Sequence, residues 1–460
     1  MKTHRFVARA VVEFTTPFIV GASRGGDIAD AVCVTDANGL PAIPGSSLAG
    51  ALRAAFRRAA GQEAEKSIFG YQENDDGRGS RLTVSWACIH DSKDVPVEGI
   101  AAPERLADAV LAKAMCPAVR DHVRISHKGA SDSAERGKFD EQAVCAGHRF
   151  SFELELAGGP EDATAWKTLL GLLSGGSLRL GGKTRRGFGA FKLVSLSLRD
   201  RAFDLRKEAD FSAYRKHPVS LKEKDSLPLT KLEGEAGRGG MLTVLLELTP
   251  RGFWMFGGGH DLPESKGDAD MAPVRDCRIA WEGGKGAVEE DLILIPAASI
   301  KGALSHRVAF HYNALTGRFC DKERPEDICG ENNGAVKALF GFVKDQSGGR
   351  RGRVLIDDIL LKKTVADQLV HHVGIDRYTG GARDQALFCE RPLWGEKLGI
   401  AIHVSEPEDF KDDAVKKAFA LALDDLAQGR LQLGAGSGRG EGYFEGKVVW
   451  PKDARWGGKI

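Results

Sequence analysis

The sequence predicts an α+β fold built twice in tandem, and three observations carry that reading. LRLGGKTRRGFGAF at Leu178–Phe191 returns as LQLGAGSGRGEGYF at Leu431–Phe444, 253 positions on, in the ungapped frame L-x-L-G-x-x-x-x-R-G-x-G-x-F. IPGSSLAGALR at Ile43–Arg53 returns as IPAASIKGALS at Ile295–Ser305, 252 positions on. Alternating apolar runs and amphipathic runs then follow one another in the same order in both halves. Two landmarks repeated in one order mark a tandem duplication. The expected domains are 1–199 and 241–460, joined by a connector at 200–240.

In the first half, Phe6–Phe14 reads as a strand. A glycine-rich loop with Asp27, Asp30 and Asp36 follows. A helix is expected from about Ser46, capped by Ser46 or Ser47, with Leu48, Leu52 and Phe56 on its apolar stripe. Arg81–Ile89 reads as a strand and Arg105–Met115 as a helix. Val123–Phe139 is polar, basic and without a core pattern, so an extended hairpin or loop is expected. Arg149–Leu156 alternates as a strand, Ala163–Leu173 is a helix, and Ala190–Leu198 closes the half as a strand. The second half repeats this order. It has a strand at Met241–Thr249, a long loop at Arg251–Glu290 and a short strand at Leu292–Ile295. A helix from Ser299, a strand at Arg353–Leu361 and a helix at Ala414–Leu426 complete it. Each half fits a ferredoxin-like or RRM-like core with insertions.

Composition excludes several classes. Hydrophobic residues make up 42% and charged residues 28% of the 460 positions, the balance of a soluble globular chain. Lys+Arg 65 against Asp+Glu 64 gives a net charge of +1, so any nucleic-acid surface must be local. No secretory leader or membrane span is legible, and 8 Cys without a close C-x-x-C pair predict free thiols in a reduced cytoplasm.

The glycine loops have two physical readings. Backbone N–H groups among glycines can approach a phosphate, with Lys183, Arg185 and Arg186 beside them. They can equally form a tight helix-to-strand turn. The G-x-x-x-x-G-K-[ST] nucleotide loop is absent. The two helix starts offer first-turn amides and a positive dipole end to a phosphate, and Lys301 adds charge in the second copy.

In combination these motifs resemble the RAMP superfamily, and more closely the backbone subunit of type III CRISPR effector complexes. Ile43–Arg53, Ile68–Gly70, Gly79–Leu82 and Gly181–Gly189 carry the likeness in the first half. Ile295–Leu304, Leu339–Gly341, Gly352–Val354 and Gly434–Gly442 carry it in the second. The resemblance implies two RRM-like palms with β-hairpin thumbs, placed here at Arg124–Lys138 and Asp376–Arg391. It implies binding of a CRISPR guide RNA by its backbone and splaying of complementary target RNA, beside other effector subunits. The RNA-contacting residues expected on this basis are Ser46, Ser47, Arg53, Lys183, Arg185, Arg186, Ser299, Lys301 and Arg439.

The resemblance also implies target cleavage at an aspartate ahead of each signature helix. DAVCVTD at Asp30–Asp36 is similar to the family's pattern, and so is DMAPVRD at Asp270–Asp276. Asp30 and Asp270 match the catalytic position, and Asp27 and Asp268 are neighbours that can take the role. RNA carries its own nucleophile, the 2′-hydroxyl, so a splayed nucleotide needs little more than a carboxylate base or a bound Mg²⁺ or other divalent ion. Two other readings stand beside this one: a non-catalytic guide binder, and a guide-processing endonuclease using a histidine such as His127, His306 or His311. Cys320 and Cys329, with His311 or Cys277, are a zinc candidate.

Overall fold

The computed structural model describes residues 2–24, 31–126, 128–131, 137–223, 226–230, 241–258, 269–345, 348–362, 365–452 and 456, without the side chains of 22–24, 31–32 and 343–345. In the first half the strand His4–Phe14 lies between Arg149–Gly158 on one side and Phe191–Leu193 with Arg199–Asp204 on the other. Leu82–Val84 and Cys88–Ile89 flank Arg149–Gly158. In the second half Met241–Pro250 lies between Leu398–Ser405 and Phe444–Val449, and Val354–Ile356 forms the far edge. Taking the four core strands in chain order, both sheets run fourth, first, third, second, and every pairing is antiparallel. This is the ferredoxin-like order that the duplicated pattern predicts.

Two helices cover one face of each sheet. Gly45–Ala60 packs with Ala163–Ser174, and Ala297–Thr316 with Asp413–Ala427. The expected stripes are the buried ones: Leu48, Leu52 and Phe56 in the first signature helix, Ile300, Leu304 and Val308 in the second. Both helices start earlier than expected. Pro44 and Pro296 occupy the N-cap positions, so Ser46, Ser47 and Ser299 lie inside the first turn and cap nothing. Proline's fixed φ suits this entry, and it has no N–H of its own to satisfy.

The Arg81–Ile89 strand is split at Ser85–Ala87, where the chain meets the first signature helix. A Cβ on Gly45 would stand 2.1 Å from the Val84 carbonyl oxygen, so the helix start and this strand touch backbone to backbone. Asp108 splits the expected Arg105–Met115 helix by accepting from the amides of Val110 and Leu111, which caps Ala109–Met115.

Two expectations fail for one reason. The supposed loop Arg251–Glu290 contains a long hairpin, Arg275–Glu282 with Lys285–Ile295, turned by Gly283 and Gly284 at φ 56° and 78°. Its apolar residues Cys277 and Ile279 pack on Val110 and Cys145 of the first half, so its core belongs to a distant part of the chain. The connector expected at 200–240 likewise begins as part of the first domain. Arg199–Asp204 pairs with the first strand, and Phe203 is buried with Val7 and Leu227. Buried Arg9 donates to the carbonyls of Pro218, Ser220 and Glu223. Residues 231–240 lie outside the described residues.

Along the seam Ile279 donates its amide to Ala146 O at 2.8 Å, and Trp281 Nε1 donates to Gly147 O at 2.7 Å. Gly147 has φ 92°, and a Cβ there would lie 2.0 Å from the Ile279 carbonyl oxygen. Gly147→Ala is therefore expected to cost more than about 1 kcal/mol of stability. Urea denaturation of the intact chain checks this, and an unchanged midpoint would show that the hairpin is not seated on the first half.

Candidate functional site

The first glycine loop is anchored in the joint between the halves. Lys183 at φ 53° and Gly187 at φ 97° bracket a single turn, Thr184–Arg186. A Cβ on Gly187 would meet the Ala297 Cβ at 2.7 Å, so the loop lies directly on the second signature helix. Lys301 Nζ donates to Arg185 O at 2.7 Å, and Arg351 donates to Thr184 Oγ1 at 2.8 Å. Arg179 is ion-paired with Asp357. Beside these contacts opens a cavity of about 640 Å³ lined by Arg58, Arg179, Arg185 and Arg351 and also by Glu406 and Glu408. The cations crowd one another. Burial, then Arg351 and Arg179, pulls Arg185 down to about 10. Burial, then Arg185, Arg186 and Arg179, pulls Lys301 down to about 7. Arg185 Nε is buried without a hydrogen-bond partner. An anion in this cavity would relieve the repulsion and satisfy that donor.

A second set of charges locks the seam. Arg120, in the first thumb strand, inserts between Asp276 and Asp358 of the second half, with side-chain exposures of 9%, 4% and 3%. Asp358 Oδ1 also accepts from Ala297 N, the first amide of the second signature helix, at 2.8 Å. The helix start expected to hold a phosphate is therefore already bonded to a carboxylate at this amide.

Both thumbs are hairpins, longer than the segments assigned from sequence. Ala118–Val123 pairs with Lys138–Ala143, and Val370–Ile375 with Ala382–Glu390. At the base of each sits the same constellation. His122 stacks on Phe139 at 5.1 Å, and His372 on Phe388 at 4.8 Å. Arg186 lies over the Phe139 ring at 4.4 Å and bonds Glu141 at 2.7 Å. Arg439 lies over the Phe388 ring at 5.5 Å and bonds Glu390 at 2.5 and 2.6 Å. Lys183 adds a second cation to Glu141 at 2.5 Å. Glu141 and Glu390 are 1% exposed, so the glycine-loop cations Lys183, Arg186 and Arg439 are tied to buried carboxylates.

The family model of the RAMP superfamily matches residues 11–192 and 284–445, three-quarters of the sequence in two blocks. The chain belongs to the RAMP superfamily. Among solved structures, one described as a cryo-EM structure of the type III-B Cmr-beta bound to cognate target RNA is similar over 44% of this chain and 61% of that chain. Its identity is 15% and its TM-score 0.30. No curated protein matches.

In this RAMP chain the aspartate pairs divide by role. The trailing members are structural: Asp36 accepts from the amides of Asn38 and Leu40, and Asp276 holds Arg120. Of the leading ones, Asp270 is exposed, and its Oδ2 accepts from Cys389 N of the second thumb at 2.7 Å. Asp27, Asp30 and Asp268 lie outside the described residues. Arg53, expected to contact RNA, is bonded to Glu65 and donates to Gly70 O at 3.0 Å, which ties the first signature helix to the corner that follows it. His311 and Arg307 both bond Asp425 of the late helix, so His311 serves helix packing. His127 lies outside the described residues. Cys320 and Cys329 have no third metal ligand among the described residues: His311 is engaged with Asp425, and Cys277 is buried beside Cys145.

Sequence reasoning missed Arg120, Arg179, Arg351, Glu141 and Glu390. A signal existed for the two glutamates. F-x-E occurs at Phe139–Glu141 and again at Phe388–Glu390, each in a thumb.

Proposed function

We propose that this RAMP chain is a guide-RNA-binding backbone subunit of a type III CRISPR effector ribonucleoprotein. One continuous RNA backbone crosses the seam between its halves. The observation that carries the reading is the cavity at the joint, where Arg58, Arg179, Arg185 and Arg351 come from both halves to one wall. Phosphate contacts of this kind position an RNA without reading its sequence. The thumbs support the second part of the reading, displacement of a paired target. Tyr378 is 92% and Leu387 68% exposed on the second thumb, and Val119 and Val123 are exposed on the first. Exposed apolar side chains on a protruding hairpin can wedge between stacked bases. Neighbouring effector subunits would align the hairpins along the guide.

Cleavage of the target is the finer part of the proposal. Asp270 is held beside the second thumb through Oδ2, and its exposed side chain would meet a displaced nucleotide there. In that position it would orient the RNA 2′-hydroxyl or take its proton. One carboxylate with substrate phosphates is also a donor set that suits Mg²⁺, which when bound would neutralise charge on the attacked phosphate. Asp30 would act in the same way in the first half.

Removing Arg185 and Arg351 together (Arg185→Ala with Arg351→Ala) is expected to weaken guide binding and to lower the slope of log affinity against log salt. The drop is about 0.7 for each lost contact to single-stranded RNA. Fluorescence-anisotropy titrations across a salt series measure it. A slope equal to that of the parent chain would remove the seam from the RNA path.

A further inference from the structure

The two thumb-base constellations are copies, but their charges differ. At 253-residue spacing, Lys183 of the first loop corresponds to Gly436, Arg185 to Gly438 and Phe188 to Glu441. The second copy has therefore lost two cations and gained one anion. In the first copy one buried carboxylate, Glu141, faces two cations, Lys183 and Arg186. Phe188 beside them is 1% exposed and lies under the Arg120 guanidinium at 5.2 Å. In the second copy two buried carboxylates, Glu390 and Glu441, lie near one cation, Arg439, which bonds Glu390.

Three groups with free ligand atoms converge at this copy. A ligand atom from each of His372, Glu390 and Glu441 lies within 4.8 Å of the others. Glu441 is 7% exposed, and its Oε2 has no hydrogen-bond partner. His372 Nε2 is also buried without one, 3.2 Å from Glu390 Oε2 but misaligned for a bond. Burial, then the neighbouring Glu390 charge, raises the Glu441 carboxyl above the ordinary range. Buried carboxylates that lack a counter-charge are costly, and a coordinated metal ion removes the cost. Glu390 keeps lone pairs free although Arg439 bonds both its oxygens, because a carboxylate offers about four acceptor sites.

We propose that His372, Glu390 and Glu441 bind one divalent transition-metal ion at the base of the second thumb, and that the first half has no such site. One imidazole nitrogen with two carboxylates is a borderline donor set that suits Zn²⁺ best and Mn²⁺ more weakly. The ion ties the thumb strands, through His372 and Glu390, to the second glycine loop, through Glu441. In the first half the direct Lys183 and Arg186 bridges to Glu141 make that connection. Asp270 is not among its ligands, although it bonds the amide of Cys389 next to Glu390, and the site needs no RNA.

Equilibrium dialysis of the full RNA-free chain against Zn²⁺, with bound metal counted by elemental analysis, tests it. One equivalent of zinc per chain is expected, with a rise in melting temperature. Both effects are lost in Glu441→Gln and in Glu441→Phe, which installs the first half's residue, and both persist in Cys320→Ser with Cys329→Ser. Mn²⁺ should compete only at higher concentration. Each of these results overturns the proposal: no stoichiometric zinc in the parent chain, zinc retained in Glu441→Gln, or zinc lost in the cysteine double variant. His372→Gln keeps the test independent of the carboxylates, since it removes the nitrogen ligand and leaves Glu390 and Glu441 in place. Full zinc binding by that variant counts against the site as well.

Discussion

Asp270→Ala is expected to abolish one of two cuts in guide-paired target RNA, slowing it by about 10²–10⁴-fold, the range for losing a positioned acid–base group. Asp30→Ala is expected to abolish the other. Both variants should still bind target, since guide pairing and not the aspartate holds it; among the described residues the exposed Asp270 side chain bonds only Cys389 N. The products should carry a 2′,3′-cyclic phosphate or 3′-phosphate and a 5′-hydroxyl, since the attacking group is the RNA's own 2′-hydroxyl. A target with 2′-deoxyribose at the cut should bind and survive, and chelating divalent ions should stop both cuts. End-labelled target on a denaturing gel reads all of this. If Asp30→Ala and Asp270→Ala leave both cuts intact, Asp27 and Asp268 are tested next. If all four changes are silent, the chain is a non-catalytic guide binder.

Arg120→Ala is expected to lower stability by about 3–5 kcal/mol, because it leaves Asp276 and Asp358 buried without their cation. The loss should spread through the seam. Asp358 also holds the first amide of the second signature helix, and the neighbouring Asp357 holds Arg179. Arg120→Lys should recover only part of the loss, since an ammonium cannot reproduce a fork aimed at two carboxylates. Chemical denaturation monitored by circular dichroism measures both variants. A loss under about 1 kcal/mol, the range of exposed ion pairs, would mean that the clamp is solvated and the halves are held by the Arg275–Glu282 hairpin and the glycine-loop contacts instead.

Much of this protein was legible in its sequence. The duplicated landmarks predicted two copies of one fold, and period-two and helical patterns placed the core strands of the first half and the four covering helices. In the second half they placed only Met241–Pro250 and Val354–Ile356 and missed Leu398–Ser405 and Phe444–Val449. Those signals are local: a strand or an amphipathic helix advertises its buried face within a few residues. Where an element buries itself against the other half, the local signal failed. The Arg275–Glu282 hairpin read as a loop because Cys277 and Ile279 find their partners in Val110 and Cys145.

Charge shows the same division. Sequence by itself determined that cations cluster in the first terminal loop and that aspartates precede the signature helices. Only the tertiary structure decided which of them are free to meet a ligand. Arg186 and Arg439 are neutralised by Glu141 and Glu390, 45 and 49 residues away along the chain. Arg120 is neutralised by Asp276 and Asp358, 156 and 238 residues away. Arg185 and Arg351, from opposite halves, are left facing one cavity. An ion pair depends on distance in space and on exclusion of water. A chain spells out the charges in order, and the fold sets both the distance and the dryness.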